Sequence, residues 1–170
     1  EGTIRENILF PRPDATEAEL QEAIKGAYVD EFTYKFEEGL DTIIGERGVK
    51  LSGGQRQLVG LGRVFLAQPK IWLLDEPTAS LDNESEKRVL QALETCVKPN
   101  DILIISTHRP ALAAKLANRV IVMQQGEIIK DGTPADVMPQ MMKNAVTTAQ
   151  GSAGMLKTPK GFVAINTKGA

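Results

Sequence analysis

Apolar positions near the start of the chain fall at helical spacing. Leu20, Ala23, Ile24 and Ala27 recur at i, i+3, i+4 and i+7, one stripe of an amphipathic helix. Thr16 with Glu19 three residues on is a capping-box pattern, so the helix begins just after Thr16. Phe32 and Phe36 carry the apolar face into a second short helix that stops near Gly39. The front of the chain reads as helical and holds no convincing strand.

The pattern changes in the middle. Gly45, Gly48, Gly53 and Gly54 mark a loop ending at Ser52, and a helix follows to about Ala67 with Leu58, Leu61, Val64 and Phe65 on its buried side. Pro69 closes it. The unbroken apolar runs Ile71–Leu74 and Ile102–Ile105 suit strands buried on both faces of a parallel sheet. Between them, residues from about Glu84 to Thr95 predict a polar helix with Asp82 or Asn83 as cap and Val89, Leu90 and Leu93 inward. A helix is expected over Pro110 to Leu116. Val120–Met123, Gln124–Gly126 and Glu127–Ile129 read as strand, turn and strand. Thr133–Asp136 opens a last helix with Pro134 at its first position. Strand–helix alternation of this kind indicates an α/β domain with a parallel sheet. From about Asn144 the chain is dominated by Gly, Ala, Ser, Thr and Lys, a composition expected to be disordered.

Composition narrows the function. The chain has 170 residues, 42% of them apolar and 25% charged, enough for one ordinary core. Twenty Lys and Arg against 22 Asp and Glu remove the electrostatic case for a nucleic-acid coat or an anionic-membrane binder. The single Cys96 excludes an internal disulfide framework and a Cys-based zinc site, which fits a reducing compartment. No apolar run approaches the ~20 residues that span a bilayer, so neither a membrane segment nor a signal peptide is expected within this chain. It begins at Glu1, not Met, and is expected to be a piece of a longer protein.

Three places carry chemistry. Leu51-Ser52-Gly53-Gly54-Gln55-Arg56-Gln57 offers bare amides, a hydroxyl and the positive end of a helix, the parts of a phosphate site; the plainer alternative is a Ser N-cap after a flexible loop. Asp75-Glu76 leaves the carboxyl end of an apolar strand, where parallel sheets place their ligands. Asp75 suits Mg²⁺, and Glu76 can orient or deprotonate a water; otherwise the pair is a solvated acidic turn before Pro77. His108 is the only histidine. It also follows a strand, and is either a hydrogen-bonding structural residue or part of a site shared with Asp75, since the two strands should be neighbours.

Taken jointly, these segments resemble the nucleotide-binding domain of an ATP-binding cassette (ABC) transporter, from Glu1 to about Val137. Leu51–Gln55 match the family's signature motif, and Ile71–Glu76 match its Walker B strand with the following glutamate. Ser80-Leu81-Asp82 matches the D-loop and His108 the switch histidine. Gly45-Glu46-Arg47-Gly48 is similar to the loop by which exporters couple to their transmembrane half, and Gly2–Ile8 resembles the exporter subgroup. The fold implied is P-loop NTPase-like, α/β, a parallel sheet flanked by helices with a helical subdomain at the front, and incomplete. Its expected division is 1–143 for the carboxyl-terminal part of the ATPase domain, helical over 1–50 and catalytic over 51–143, with a tail over 144–170.

One departure stands out. The chain has no G-x-x-x-x-G-K-[ST] phosphate loop. Gly151–Thr158 approaches that pattern, but Leu156 stands where its second glycine must be, and the string is a decoy. The family's phosphate loop lies upstream, so truncation is the simplest account. Loss of that part is expected to expose apolar edges and faces and to leave the piece marginally stable or aggregating.

The resemblance also implies roles. ATP and Mg²⁺ are the expected cofactors. Leu51, Ser52, Gly53, Gly54 and Gln55 would bind ATP held by a second nucleotide-binding domain. Asp75 would serve Mg²⁺, Glu76 would polarise the attacking water, His108 would contact the γ-phosphate, and Asp82 would couple the two sites. The other partner is an exporter's transmembrane domain, at the cytoplasmic face of the plasma membrane. Asp82–Glu86 and Thr107–Pro110 look most like type I protein secretion exporters, ahead of lipid or multidrug exporters. The remaining alternatives are a soluble ABC ATPase of DNA repair or translation and a non-catalytic module that donates only its signature motif.

Overall fold

The computed structural model describes residues 2–45, 50–137 and 161–167. Residues 46–48 of the coupling-type loop and the decoy string at 151–158 therefore lie outside the described residues. The chain forms two compact units, Glu1–Pro69 with Pro77–Val97, and Lys70–Glu76 with Lys98–Ala170.

The first unit is helical. Helix α1 covers Ile4–Leu9, α2 Glu17–Gly26, α3 Asp30–Thr33, α4 Gly53–Ala67 and α5 Asn83–Cys96, with one 3₁₀ turn at Gly39–Asp41. Three helices open on reciprocal capping boxes: Thr3 with Glu6, Thr16 with Glu19, and Ser52 with Gln55. Each satisfies two amides that would otherwise have no partner. The α2 stripe is buried as its spacing predicts, Leu20, Ala23, Ile24 and Ala27 all lying in the core. Both α1 and α2 pack on α4. Gly62 makes that approach possible, because a Cβ there would lie 3.4 Å from Ile8 and 3.7 Å from Ala27. On α4, Leu58, Leu61 and Phe65 are buried as expected, but Val64 is half-buried and Val59 and Leu66 take its place. The helix ends where Gln68 turns left-handed, at φ 44°, one residue before Pro69. By their contacts, α4 and α5 group with the front helices.

The second unit is built on a sheet. Its strands are β1 Ile71–Asp75, β2 Ile102–Thr107, β3 Arg119–Gln124, β4 Glu127–Gly132 and β5 Gly161–Thr167, in the order β1-β2-β5-β3-β4. β1 and β2 are parallel, with Ile71 opposite Ile102 and Asp75 opposite Ser106. β3 and β4 form an antiparallel hairpin through Gln125 and Gly126, at φ 53° and 85°. Two positive φ angles in a two-residue turn match the twist of a hairpin. Helix α6, Pro110–Leu116, packs on β2 and β5. At the amino ends of β1 and β2, the buried Asp101 accepts from the Lys98 amide at 3.0 Å and from Lys70 at 3.2 Å. That amide is the main reason its carboxyl is held below the ordinary carboxylate range, with Lys70 and Trp72 adding to it.

Two expectations need correction. β1 is not covered on both faces: Trp72 and Leu74 are buried, but Ile71 is 56% and Leu73 71% exposed. The strand is apolar throughout, yet it lies at the sheet edge and only one of its faces is covered. The tail, read from its composition as disordered over 144–170, contains β5 at Gly161–Thr167. Its apolar run Phe162–Ile165 is short and set among polar, glycine-rich neighbours, and it gains ladder partners in β2 and β3. Residues 138–160 and 168–170 lie outside the described residues.

Candidate functional site

Parallel pairing brings the carboxyl ends of β1 and β2 together, so the strands that end in Asp75 and Thr107 are neighbours as the sequence predicts. The Ser106 hydroxyl donates to the Asp75 carboxylate. One residue later, the Glu76 amide donates to the Ser106 carbonyl at 3.0 Å, and Glu76 itself turns left-handed with φ 44°. A side chain in that conformation costs about 1–2 kcal/mol. The turn leaves the Glu76 carboxylate beside the end of β2: Oε2 accepts from Thr107 Oγ1 at 3.5 Å, and Oε1 lies 3.5 Å from His108 Nε2. Glu76 is 29% exposed and His108 66%, so the pair faces solvent but is anchored behind by the buried Thr107. Thr107 Oγ1 also accepts from the Arg109 amide at 3.1 Å, which fixes the chain on either side of His108.

The signature segment lies in the helical unit. Ser52 Oγ accepts from the Gln55 amide at 3.2 Å, and Gln55 Oε1 accepts from the Ser52 amide at 2.9 Å. The Ser N-cap reading therefore holds. It leaves the first-turn amides of Gly53 and Gly54, which have no acceptor within the helix, at the positive end of α4. The two glycines differ. A Cβ on Gly54 would lie 2.9 Å from the Ser80 carbonyl, whereas one on Gly53 meets nothing nearer than 3.6 Å. Gln57 Oε1 accepts from the Ser80 amide at 3.1 Å and joins the same helix to the Ser80-Leu81-Asp82 turn. Leu51 is buried, and its carbonyl accepts from Arg56 at 2.6 Å.

Asp82 caps α5. It accepts the Glu84 and Ser85 amides at 2.9 Å each, and the Ser85 hydroxyl at 2.8 Å. Those Ser85 bonds hold its carboxyl below the ordinary range.

Asp75, Glu76 and Ser106 supply only oxygen donors, the chemistry Mg²⁺ prefers. Among the described residues no group of three or more His, Cys, Asp and Glu could hold a metal by itself. The donor set fits an ion held by one or two carboxylates and completed by phosphate and water, as Mg²⁺ usually is. Sequence reasoning assigned no task to Gln57 or to Thr107. Gln57 is indistinguishable in sequence from any polar residue on a helix, and Thr107 becomes informative only when β1 lies beside it.

Comparison with known proteins shows what the chain is similar to. The family described as "ABC transporter" matches residues 1–79, which include the signature segment, Asp75 and Glu76. The chain is homologous to ABC transporter ATP-binding domains. Over 136 residues the chain is 44% identical to "Putative multidrug export ATP-binding/permease protein YgaD" of Bacillus subtilis, covering 80% of this chain and 23% of that protein. It is 45% identical over 136 residues to the "Mitochondrial potassium channel ATP-binding subunit" of Xenopus tropicalis, covering 80% of this chain and 20% of the relative. A solved bacterial Atm1-family ABC exporter with ATP bound superposes with a TM-score of 0.76 at 32% identity, over 90% of this chain and 27% of that one. The α/β fold is therefore that of the ABC ATPases. The chain spans about a quarter or less of the length of these relatives. No helix among the described residues is long and apolar enough to cross a membrane.

Proposed function

We propose that this chain is the carboxyl-terminal part of an ATP-hydrolysing domain that powers an ABC exporter. The observation that carries the reading is the cluster of Asp75, Glu76, Ser106, Thr107 and His108 at the joined ends of β1 and β2. In it, Glu76 accepts a proton from the water that attacks the γ-phosphorus, and the bond to the leaving ADP oxygen breaks. Asp75 holds Mg²⁺, which when bound neutralises charge on the phosphate oxygens. His108 contacts the γ-phosphate. Ser52, Gly53, Gly54 and Gln55 offer their amides and side chains to ATP on a second nucleotide-binding domain, with Asp82 coupling the two sites. Such catalysis is positioning and charge stabilisation, and the phosphate loop it needs belongs to the upstream part of the domain.

The partners are a second such domain and a transmembrane domain, with the ATPase at the cytoplasmic face of the membrane. Homology to export ATP-binding/permease proteins supports the exporter class. Within it, Asp82–Glu86 and Thr107–Pro110 favour type I protein secretion, and the likeness to YgaD, a putative multidrug export protein, favours multidrug export.

The test uses the domain completed with its upstream coding sequence. Glu76→Gln is expected to retain ATP and to lose about 10²–10⁴-fold in turnover, the usual span of a general base. Turnover equal to wild type would remove Glu76 from the mechanism.

A further inference from the structure

Gln57 follows Gly54 by three residues and Gly53 by four, and positions so spaced share one face of a helix. On α4 that face meets Ser80. Gln57 Oε1 accepts from the Ser80 amide at 3.1 Å. A Cβ on Gly54 would lie 2.9 Å from the Ser80 carbonyl oxygen and 3.4 Å from Leu81 Cδ2, and one on Gly53 would lie 3.6 Å from Ser80 Oγ. The bare glycines let the two backbones come close, and Gln57, one turn on, adds a directional bond. The other side of the turn is fastened to α5. The Leu81 amide donates to the Thr78 carbonyl at 3.2 Å, the buried Thr78 donates its hydroxyl to Glu86 at 3.4 Å, and Asp82 caps the helix. Both helices and the turn belong to one compact unit. Ser80 is exposed and Gln57 half-buried, so water can replace Gln57 at the Ser80 amide. The bond is therefore not needed to satisfy a buried donor; what it contributes is position.

We propose that Gln57 is a positioning residue: it holds the Ser80-Leu81-Asp82 turn in register with the signature segment, so that a second nucleotide-binding domain meets both as one surface. This rests on the proposed function, in which Ser52–Gln55 and Asp82 both face that domain. Segments that moved separately would each lose freedom on pairing, whereas segments already in register lose it on folding and leave pairing tighter. The side chain suits the task. A glutamine oxygen accepts from a backbone amide without bringing charge, while a carboxylate would accept equally and place a negative charge one turn from the amides offered to phosphate.

The experiment has two arms. In the full chain, Gln57→Met removes the acceptor at nearly constant side-chain length. The Ser80 amide, followed by NMR, is expected to exchange with solvent about 2–10-fold faster, the range of one neutral hydrogen bond, with no loss of melting temperature. Gln57→Glu keeps an acceptor and is expected to exchange as the wild type does. Unchanged exchange in Gln57→Met, or equal acceleration in Gln57→Glu, overturns the proposal. The second arm uses the longer domain in which Glu76→Gln is tested. There Gln57→Met is expected to raise the domain concentration that gives half-maximal ATP turnover by about 2–10-fold, while ATP binding to the unpaired domain stays as in wild type. An unchanged concentration overturns positioning, as does a lower maximal rate at that same concentration, which would place Gln57 in the chemistry. The exchange arm needs no ATP, so it separates failure of the contact from failure of the proposed function. Wild-type turnover that is independent of domain concentration would overturn pairing itself, and the positioning role with it.

Discussion

Two adjacent glycines of the signature segment have separate physical tasks. The Gly54 position lies against the Ser80 backbone, where a Cβ would sit 2.9 Å from a carbonyl oxygen that cannot rotate away. At Gly53 the same addition makes ordinary contacts. Gly54→Ala is therefore expected to lower stability by about 1–3 kcal/mol, the usual cost of overpacking, while Gly53→Ala leaves it nearly unchanged. Urea melts of the two variants check this, and equal midpoints would contradict it. The candidate residues themselves were legible from their order and spacing, since Asp75, Glu76 and His108 each follow an apolar run. Their geometry was not. The left-handed turn at Glu76 and the Thr107 hydroxyl behind it arise from strand pairing, which no local pattern encodes.

At the scale of the element, local chemistry decides most of the outcome. Helix α2 begins where Thr16 and Glu19 say it should, and the Glu19 carboxyl is pulled down to about 2 from an ordinary 4.5. The Thr16 amide is the main cause, followed by the Arg12 guanidinium 2.7 Å away and the Thr16 hydroxyl. A carboxyl held low in the folded state stabilises it fully above the unfolded value and loses that effect as pH falls through the folded one. Glu19→Gln should therefore melt below wild type at neutral pH, with the gap narrowing from about pH 4.5 and closing near pH 2. A gap that stays constant across that range would contradict the charge as its source. The same S/T-x-x-E/Q signature occurs at Thr3–Glu6 and Ser52–Gln55, and reading it consistently would have placed α1 as well. Strand coverage was harder to read, because Ile71-Trp72-Leu73-Leu74 is equally apolar on its buried and its bare side.

The molecule as a whole carries the cost of that bare side. Ile71 and Leu73 are more than half exposed on one face of β1, which is also the edge of its sheet. Apolar edges of this kind promote association. Ile71→Lys with Leu73→Lys is expected to reduce light scattering of the concentrated chain without lowering its melting temperature; scattering that does not change would place the association elsewhere. The parallel pairing of β1 and β2 was legible from alternating strands and helices. The place of β5 was not, because its pairing with β2 and β3 is made far along the chain and its neighbours have the composition of a linker.

The buried indole of Trp72 has a use of its own. It is the chain's single tryptophan, and both tyrosines, Tyr28 and Tyr34, belong to the helical unit. Nature has thus labelled the two units with different fluorophores. Excitation at the red edge of the spectrum reads the sheet alone, and tyrosine emission reads the helices. Heating curves recorded in the two channels would coincide if the units melt as one cooperative body, and would separate if either one lets go first.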